Sequence, residues 1–142
     1  MQQRIHQVVL TPAGETGATA QFGAWASALK FDAIPREVVD YAKLCLLDGV
    51  GCGLFGSTQK WGVIAADLAI ELSGGGPSTL WGRARSASPT DAALANGTAI
   101  HGFEIDDIHL RSLMHPGAVS IPAALALAEL RHRSGRDFLT AM

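Results

Sequence analysis

The chain has 142 residues, 48% hydrophobic and 17% charged, with a formal net charge of −2. Low charge and a positive mean hydropathy of +0.21 argue against disorder, which needs the opposite balance; near-neutrality leaves no electrostatic footprint for nucleic acid. Charges, Gly or Pro break every apolar stretch before the ~20 residues of a membrane span, and the N-terminal stretch lacks a secretory pattern.

Residues 1–20 are polar and Gly/Thr-rich, which suits a peripheral arm. Helical spacing begins at Phe22 and continues through Trp25, Ala26 and Leu29. Pro35 then suits the first turn of a second helix. Val38, Val39, Ala42, Leu46, Gly49 and Val50 carry that helix in three- and four-residue steps to about Phe55, with Gly56 ending it. A third helix is expected from Trp61 to Leu72, stopped by Ser73-Gly74-Gly75-Gly76-Pro77. Ser78 to Gly82 reads as a short extended piece. Ser88-Pro89-Thr90-Asp91 is a helix start, and the Ala-rich segment from Ala92 to about Phe103 predicts a central helix. After a polar stretch from Glu104 to Met114, His115-Pro116-Gly117 opens a helix to about His132 that is apolar nearly all round. A last helix begins after Ser134-Gly135. Five or six helices with little or no strand predict an all-α helical bundle. The chain stops within an apolar helix, as expected of a piece of something longer.

Cys45 and Cys52 fall on the second helix. Seven residues of helix separate Cα atoms by ~10 Å, too far for a disulfide, so reduced thiols in a cytoplasmic protein are expected. Gly51-Cys52-Gly53-Leu54-Phe55-Gly56 matches G-x-G-x-x-G literally. It closes a helical run and has no strand before it, so close helix packing is favoured over dinucleotide binding.

Chemistry concentrates between His101 and His115. These fifteen residues hold three of the five histidines, three carboxylates and an arginine. His101 and Glu104 are three apart, and on a continuing helix would share a face. Glu104, Asp107, His109 and His115 are the candidates for acid/base work. Arg111 offers a fork for a carboxylate, and the amides of the following helix near Gly117 offer donors at a positive dipole end. Together they suggest proton abstraction next to a carboxylate. His101 and Asp106 complete the candidate binding set. The same side chains could ligate a metal, but no metal signature such as H-E-x-x-H occurs, and none is expected. No G-x-S-x-G elbow occurs either.

Asn96-Gly97-Thr98-Ala99-Ile100-His101-Gly102-Phe103-Glu104-Ile105-Asp106-Asp107 resembles the NG-x-x-x-H-x-x-(D/E)-x-DD signature of the MmgE/PrpD family. His115 to Glu129 is similar to the family's HPG-led helix. Leu47-Asp48-Gly49-Val50-Gly51 and Thr79-Leu80-Trp81-Gly82 fit as well. The resemblance runs from about Gln21 to Met142. It implies the N-terminal part of a longer lyase, most simply a dehydratase of 2-methylcitrate or a similar hydroxy acid. The family also includes cis-aconitate decarboxylase and iminodisuccinate epimerase. It implies a helical domain with a smaller α/β lid, a homodimer, a small polycarboxylate substrate and no required metal or organic cofactor. His115 matches an active-site histidine of the decarboxylase branch, Glu104 stands where that branch has an aspartate, and Asp106 and Asp107 match the DD pair. Ile108 departs, since the family usually has threonine there. Further active-site histidine, lysine and tyrosine positions lie beyond Met142, so the chain alone is expected to be inactive. Two other readings remain: an isomerase or epimerase of an amino- or imino-dicarboxylate, and a non-catalytic helical module completed by another chain.

Overall fold

A computed structural model describes residues 17–142, so most of the expected N-terminal arm lies outside the described residues. The chain divides into two compact units between Lys30 and Phe31. The first contains α1 (Ala18–Ala28), where Phe22 and Trp25 bring their rings to 5.5 Å. This helix starts earlier than the apolar spacing from Phe22 predicts, because Ala18, Thr19 and Ala20 extend it without adding an apolar face.

The second unit opens with a 3-10 turn (Phe31–Ala33) and then holds α2 (Arg36–Gly56), α3 (Lys60–Ser73), a hairpin of β1 (Ser78–Leu80) and β2 (Arg85–Ala87), α4 (Pro89–His101), α5 (Pro116–Leu130) and α6 (Gly135–Ala141). The two strands pair antiparallel, Thr79 opposite Ser86. The mostly helical class agrees with the sequence. Among the described residues no helix is long and apolar enough to cross a membrane. Ser88 caps α4 by accepting from the Asp91 amide, as its Ser-Pro start predicts. The Asp91 carboxylate accepts from the hydroxyls of Ser73 and Ser88, which hold its pKa below the usual value. Ser134 and Asp137 form a capping box on α6. Arg136 of α6 ion-pairs with Asp32 and lies 4.3 Å above the Phe31 ring.

Helix α4 is the centre. Ala92, Ala95, Asn96, Ala99 and Ile100 are buried, and α2, α3 and α5 all pack on it. The packing is close because side chains are missing where backbones meet. A Cβ on Gly56 would overlap the Ala99 carbonyl, and one on Gly53 would meet the Trp81 ring. The G-x-G-x-x-G stretch therefore serves helix packing. On the other flank, a Cβ on Gly97 would come within 2.8 Å of the Ala118 carbonyl and 3.5 Å of the Pro122 ring. Pro122 lacks the N–H that would reach this carbonyl along α5, so Gly97 faces a backbone oxygen left without its helical donor.

Polar side chains, of which Asn96 and Ser78 are buried, fasten the hairpin to this centre. The Asn96 side chain accepts from the Trp81 amide at 3.0 Å and donates to the Thr79 carbonyl at 2.9 Å. The Ser78 hydroxyl donates to the Ala126 carbonyl. Glu129 accepts from the amide and the hydroxyl of Thr79. Asn96 and Glu129, which lie within the stretches that carry the resemblance, are thus structural ties.

Cys52 is buried and Cys45 partly so, and both are free thiols. Burial raises both pKa values, with the negative charge of Asp107 adding at Cys45 and that of Asp48 at Cys52. Less thiolate at neutral pH means slower alkylation. Iodoacetamide labelling of the native chain at pH 7.5 should therefore be slower than that of the denatured chain and should accelerate as pH rises. Asn96→Ala leaves the buried Trp81 amide without its acceptor and the part-buried Thr79 carbonyl without its donor. It should cost roughly 1–3 kcal/mol, read as a lower urea midpoint.

Candidate active site

The site is made where α4 ends and α5 begins. Gly102 stops α4 against the indole of Trp61, where any Cβ would collide with the ring. The chain then reverses. Glu104 adopts a left-handed φ of 55°, and its amide donates to the His101 carbonyl at 2.8 Å. The expected shared helix face of His101 and Glu104 is therefore replaced by a turn, because the contact with Trp61 ends the helix first. The reversal brings Asp106 back beneath His101.

From Asp107 the loop runs outward. The His109 amide donates to the Met114 carbonyl at 2.8 Å, closing a small lobe that holds Leu113 at φ 51°. The chain re-enters at His115, the residue before Pro116, whose φ of −106° and ψ of 82° lie outside the α region that a following proline disfavours.

Three side chains meet. His101 Nδ1 and Asp106 Oδ1 are hydrogen-bonded at 3.2 Å, and His115 Nδ1 lies 3.2 Å from the same oxygen. The His115 contact has an ion-pair distance but lacks hydrogen-bond alignment, so Nδ1 of His115 and Oδ2 of Asp106 remain buried without a hydrogen-bond partner. The two imidazoles lie 4.4 Å apart, tilted by 52°. The Asp106 side chain is fully buried, whereas those of His101 and His115 are 46% and 22% exposed. A ligand can therefore reach the rings but not the carboxylate between them.

The other candidates are placed differently. Asp107 Oδ1 accepts from the Gly117 amide at 3.0 Å. His115, at the helix cap, makes no side-chain cap bond of its own, so Asp107 supplies it from ten residues back. The Gly117 donor expected to face a substrate carboxylate is consequently taken by a carboxylate of the chain itself. Gly117 is needed here because a Cβ would strike Asp107 Oδ1. His109 is exposed and its Nδ1 lies 2.6 Å from the Ser112 hydroxyl. Glu104, Ile108 and Arg111 are exposed.

Donor atoms of His101, Asp106 and His115 lie within 4.8 Å of one another, close enough to hold a metal ion among the described residues. A hydrogen bond accounts for the closeness of His101 and Asp106, and an ion-pair contact for that of His115. Trp61 is a participant that sequence reasoning missed. Its indole N–H is buried without a partner next to the end of α4, and nothing local to Trp61 signals a contact 41 residues away.

The model of the MmgE/PrpD N-terminal domain matches residues 20–142. A cis-aconitate decarboxylase-like protein of Aspergillus oryzae is 38% identical over 139 residues, covering 93% of this chain and 28% of the relative. The cis-aconitate decarboxylase of Homo sapiens is 34% identical, with 87% and 26% covered, and that of Aspergillus terreus 30% identical, with 86% and 25% covered. The chain spans about a quarter of the length of these curated relatives.

Asp107 and Gly117 act as one unit at the start of α5. Asp107→Ala should cost about 1 kcal/mol, the worth of a helix cap, and Gly117→Ala about 1–3 kcal/mol by displacing the carboxylate. In a double-mutant cycle by urea unfolding, the pair should cost clearly less than the sum of the two.

Proposed function

The chain belongs to the MmgE/PrpD family, and on that footing we propose that it is the N-terminal helical segment of a lyase acting on small polycarboxylates. The observation that carries the reading is the pair of reachable imidazoles around one buried carboxylate. Such a pair can hold and deliver protons next to a substrate carboxylate without the protein charge moving far.

Decarboxylation of cis-aconitate or a close analogue is the first reaction to assign, since the curated relatives carry that name. In that reaction the bond to the departing carboxylate breaks, carbon dioxide leaves, and the electron pair left on carbon takes a proton from an acid. His115 is the proposed proton donor, with His101 beside it. Glu104 and His109, on the exposed turn and lobe, are the proposed further acid/base groups, and Arg111 the proposed carboxylate anchor. Asp107 contributes by holding the start of α5, and with it His115.

Dehydration of 2-methylcitrate or a similar hydroxy acid is the second reading. It needs a base for the proton beside the carboxylate and an acid for the leaving hydroxyl, and two adjacent imidazoles can supply both. In either case part of the site is proposed to come from sequence beyond this segment. A homodimeric, cytoplasmic full-length enzyme is part of the same proposal.

Titration of the ¹⁵N-labelled chain with cis-aconitate, citrate and 2-methylcitrate, with acetate as control, tests the site. Saturable, weak shifts confined to residues around His101 and His115 are expected from the polycarboxylates and not from acetate. Equal response to acetate, or none to any acid, would remove the polycarboxylate reading. An assay of the isolated chain for carbon dioxide release or dehydration should give no turnover. Turnover would show that the segment is catalytically sufficient.

A further inference from the structure

We propose that Asp106 is a positioning residue that fixes the tautomer of two histidines at once, leaving Nε2 unprotonated on both His101 and His115. The inference deepens the proposed function and takes its purpose from it. The tautomers themselves can be measured without any activity.

The argument starts from burial. The Asp106 side chain has no exposed surface, so it cannot touch a substrate and can act only through its neighbours. Those neighbours are two ring nitrogens of the same type, each 3.2 Å from the same oxygen, Oδ1: Nδ1 of His101 in a hydrogen bond, and Nδ1 of His115 in an off-line contact at ion-pair distance. An ionised carboxylate only accepts, so its charge favours a proton on a ring nitrogen held this close, in line or not. If either ring carried its proton on Nε2 instead, an unprotonated Nδ1 would sit 3.2 Å from a carboxylate oxygen, pointed at it in His101 and beside it in His115. Two acceptors would then be held together in a buried place, an arrangement that low local dielectric makes costly. The neutral form compatible with this geometry is Nδ1–H on both rings.

The backbone makes the arrangement rigid. His101 is fixed by the end of α4 against Trp61. Asp106 is returned by the turn at Glu104. His115 is set by its place before Pro116, which keeps its backbone out of the α region, and by the Asp107 cap on α5. Because Nδ1 of His115 is buried, the exposed part of that ring lies away from Asp106. Either ring can then take a proton at Nε2, leaving an imidazolium beside the Asp106 carboxylate, the form from which His115 would deliver its proton. One buried carboxylate would thus prepare two Nε2 atoms side by side, each able to hold the proton that the reaction uses.

The alternative is a protonated Asp106 that donates to one Nδ1 and accepts from the other. It would leave the two rings in opposite tautomers, which separates the models cleanly.

The test is a long-range ¹H–¹⁵N correlation spectrum of the histidine rings in the ¹⁵N-labelled chain, followed upward in pH until the ring shifts stop changing. Ring signals are assigned by replacing each histidine with Gln in turn, and exposed His132 serves as the solvent reference. His101 and His115 should both show the Nδ1–H pattern, and His132 mostly the Nε2–H pattern. An Nε2–H pattern in either His101 or His115 overturns the proposal. Asp106→Leu should return both rings to the His132 pattern, and a folded Asp106→Leu chain that keeps Nδ1–H on both would equally overturn it. If that variant does not fold, judged by loss of amide dispersion, Asp106→Asn takes its place. With a neutral side chain that has one carbonyl acceptor, it should lose the Nδ1–H pattern on at least one ring, and retention on both overturns the proposal. Shared Nδ1–H tautomers in a chain that ignores polycarboxylates would end the functional reading and leave this one standing.

Discussion

The second unit depends on how closely three helices approach α4. Burying a helix on several sides demands small residues wherever backbones cross, and this chain places Ala92, Ala95 and Ala99 on α4 with Gly53 and Gly56 on α2. The one large polar group on that buried surface, Asn96, is spent on two backbone bonds to the hairpin. An unpaired amide in such a place would be expensive. With α4 held this tightly, the position of its last residue, His101, is settled by packing.

The site is built from ends and turns hung on that fixed helix. The C-terminus of α4 supplies His101, a left-handed residue reverses the chain, and the N-terminus of α5 supplies His115. Division of labour between adjacent aspartates follows from that path. Asp106 turns inward beneath the imidazoles, while Asp107 turns to the α5 amide. Two adjacent side chains of identical chemistry thus end in different environments.

Much of this was legible in the sequence. The order of helices follows from three- and four-residue apolar spacing, and the starts of α4 and α5 from Ser-Pro and His-Pro. The cluster from His101 to His115 stood out by composition, and the resemblance named the family. Other features were not legible for specific reasons. The end of α4 depends on Trp61, distant in sequence, so periodicity ran the helix on to Phe103. β2 carries Arg85 and Ser86 among three residues, too few to show alternation. The Gly117 amide looked free because helix starts usually are, and a carboxylate ten residues earlier has no local signature as its partner. Composition could collect the acidic residues of the site but could not sort which of them face the rings.

The contact between Gly97 and the Ala118–Pro122 stretch links the site to variation at a distance. Pro122 removes a helical donor and Gly97 removes a side chain, so the two residues share one crossing point of α4 and α5. A larger residue at position 97 would push α5 outward as a body and carry His115 away from Asp106. A non-proline residue at position 122 would offer the Ala118 carbonyl a donor of its own and retune the same crossing. A substitution at either position is therefore felt at the other, although neither touches the chemistry.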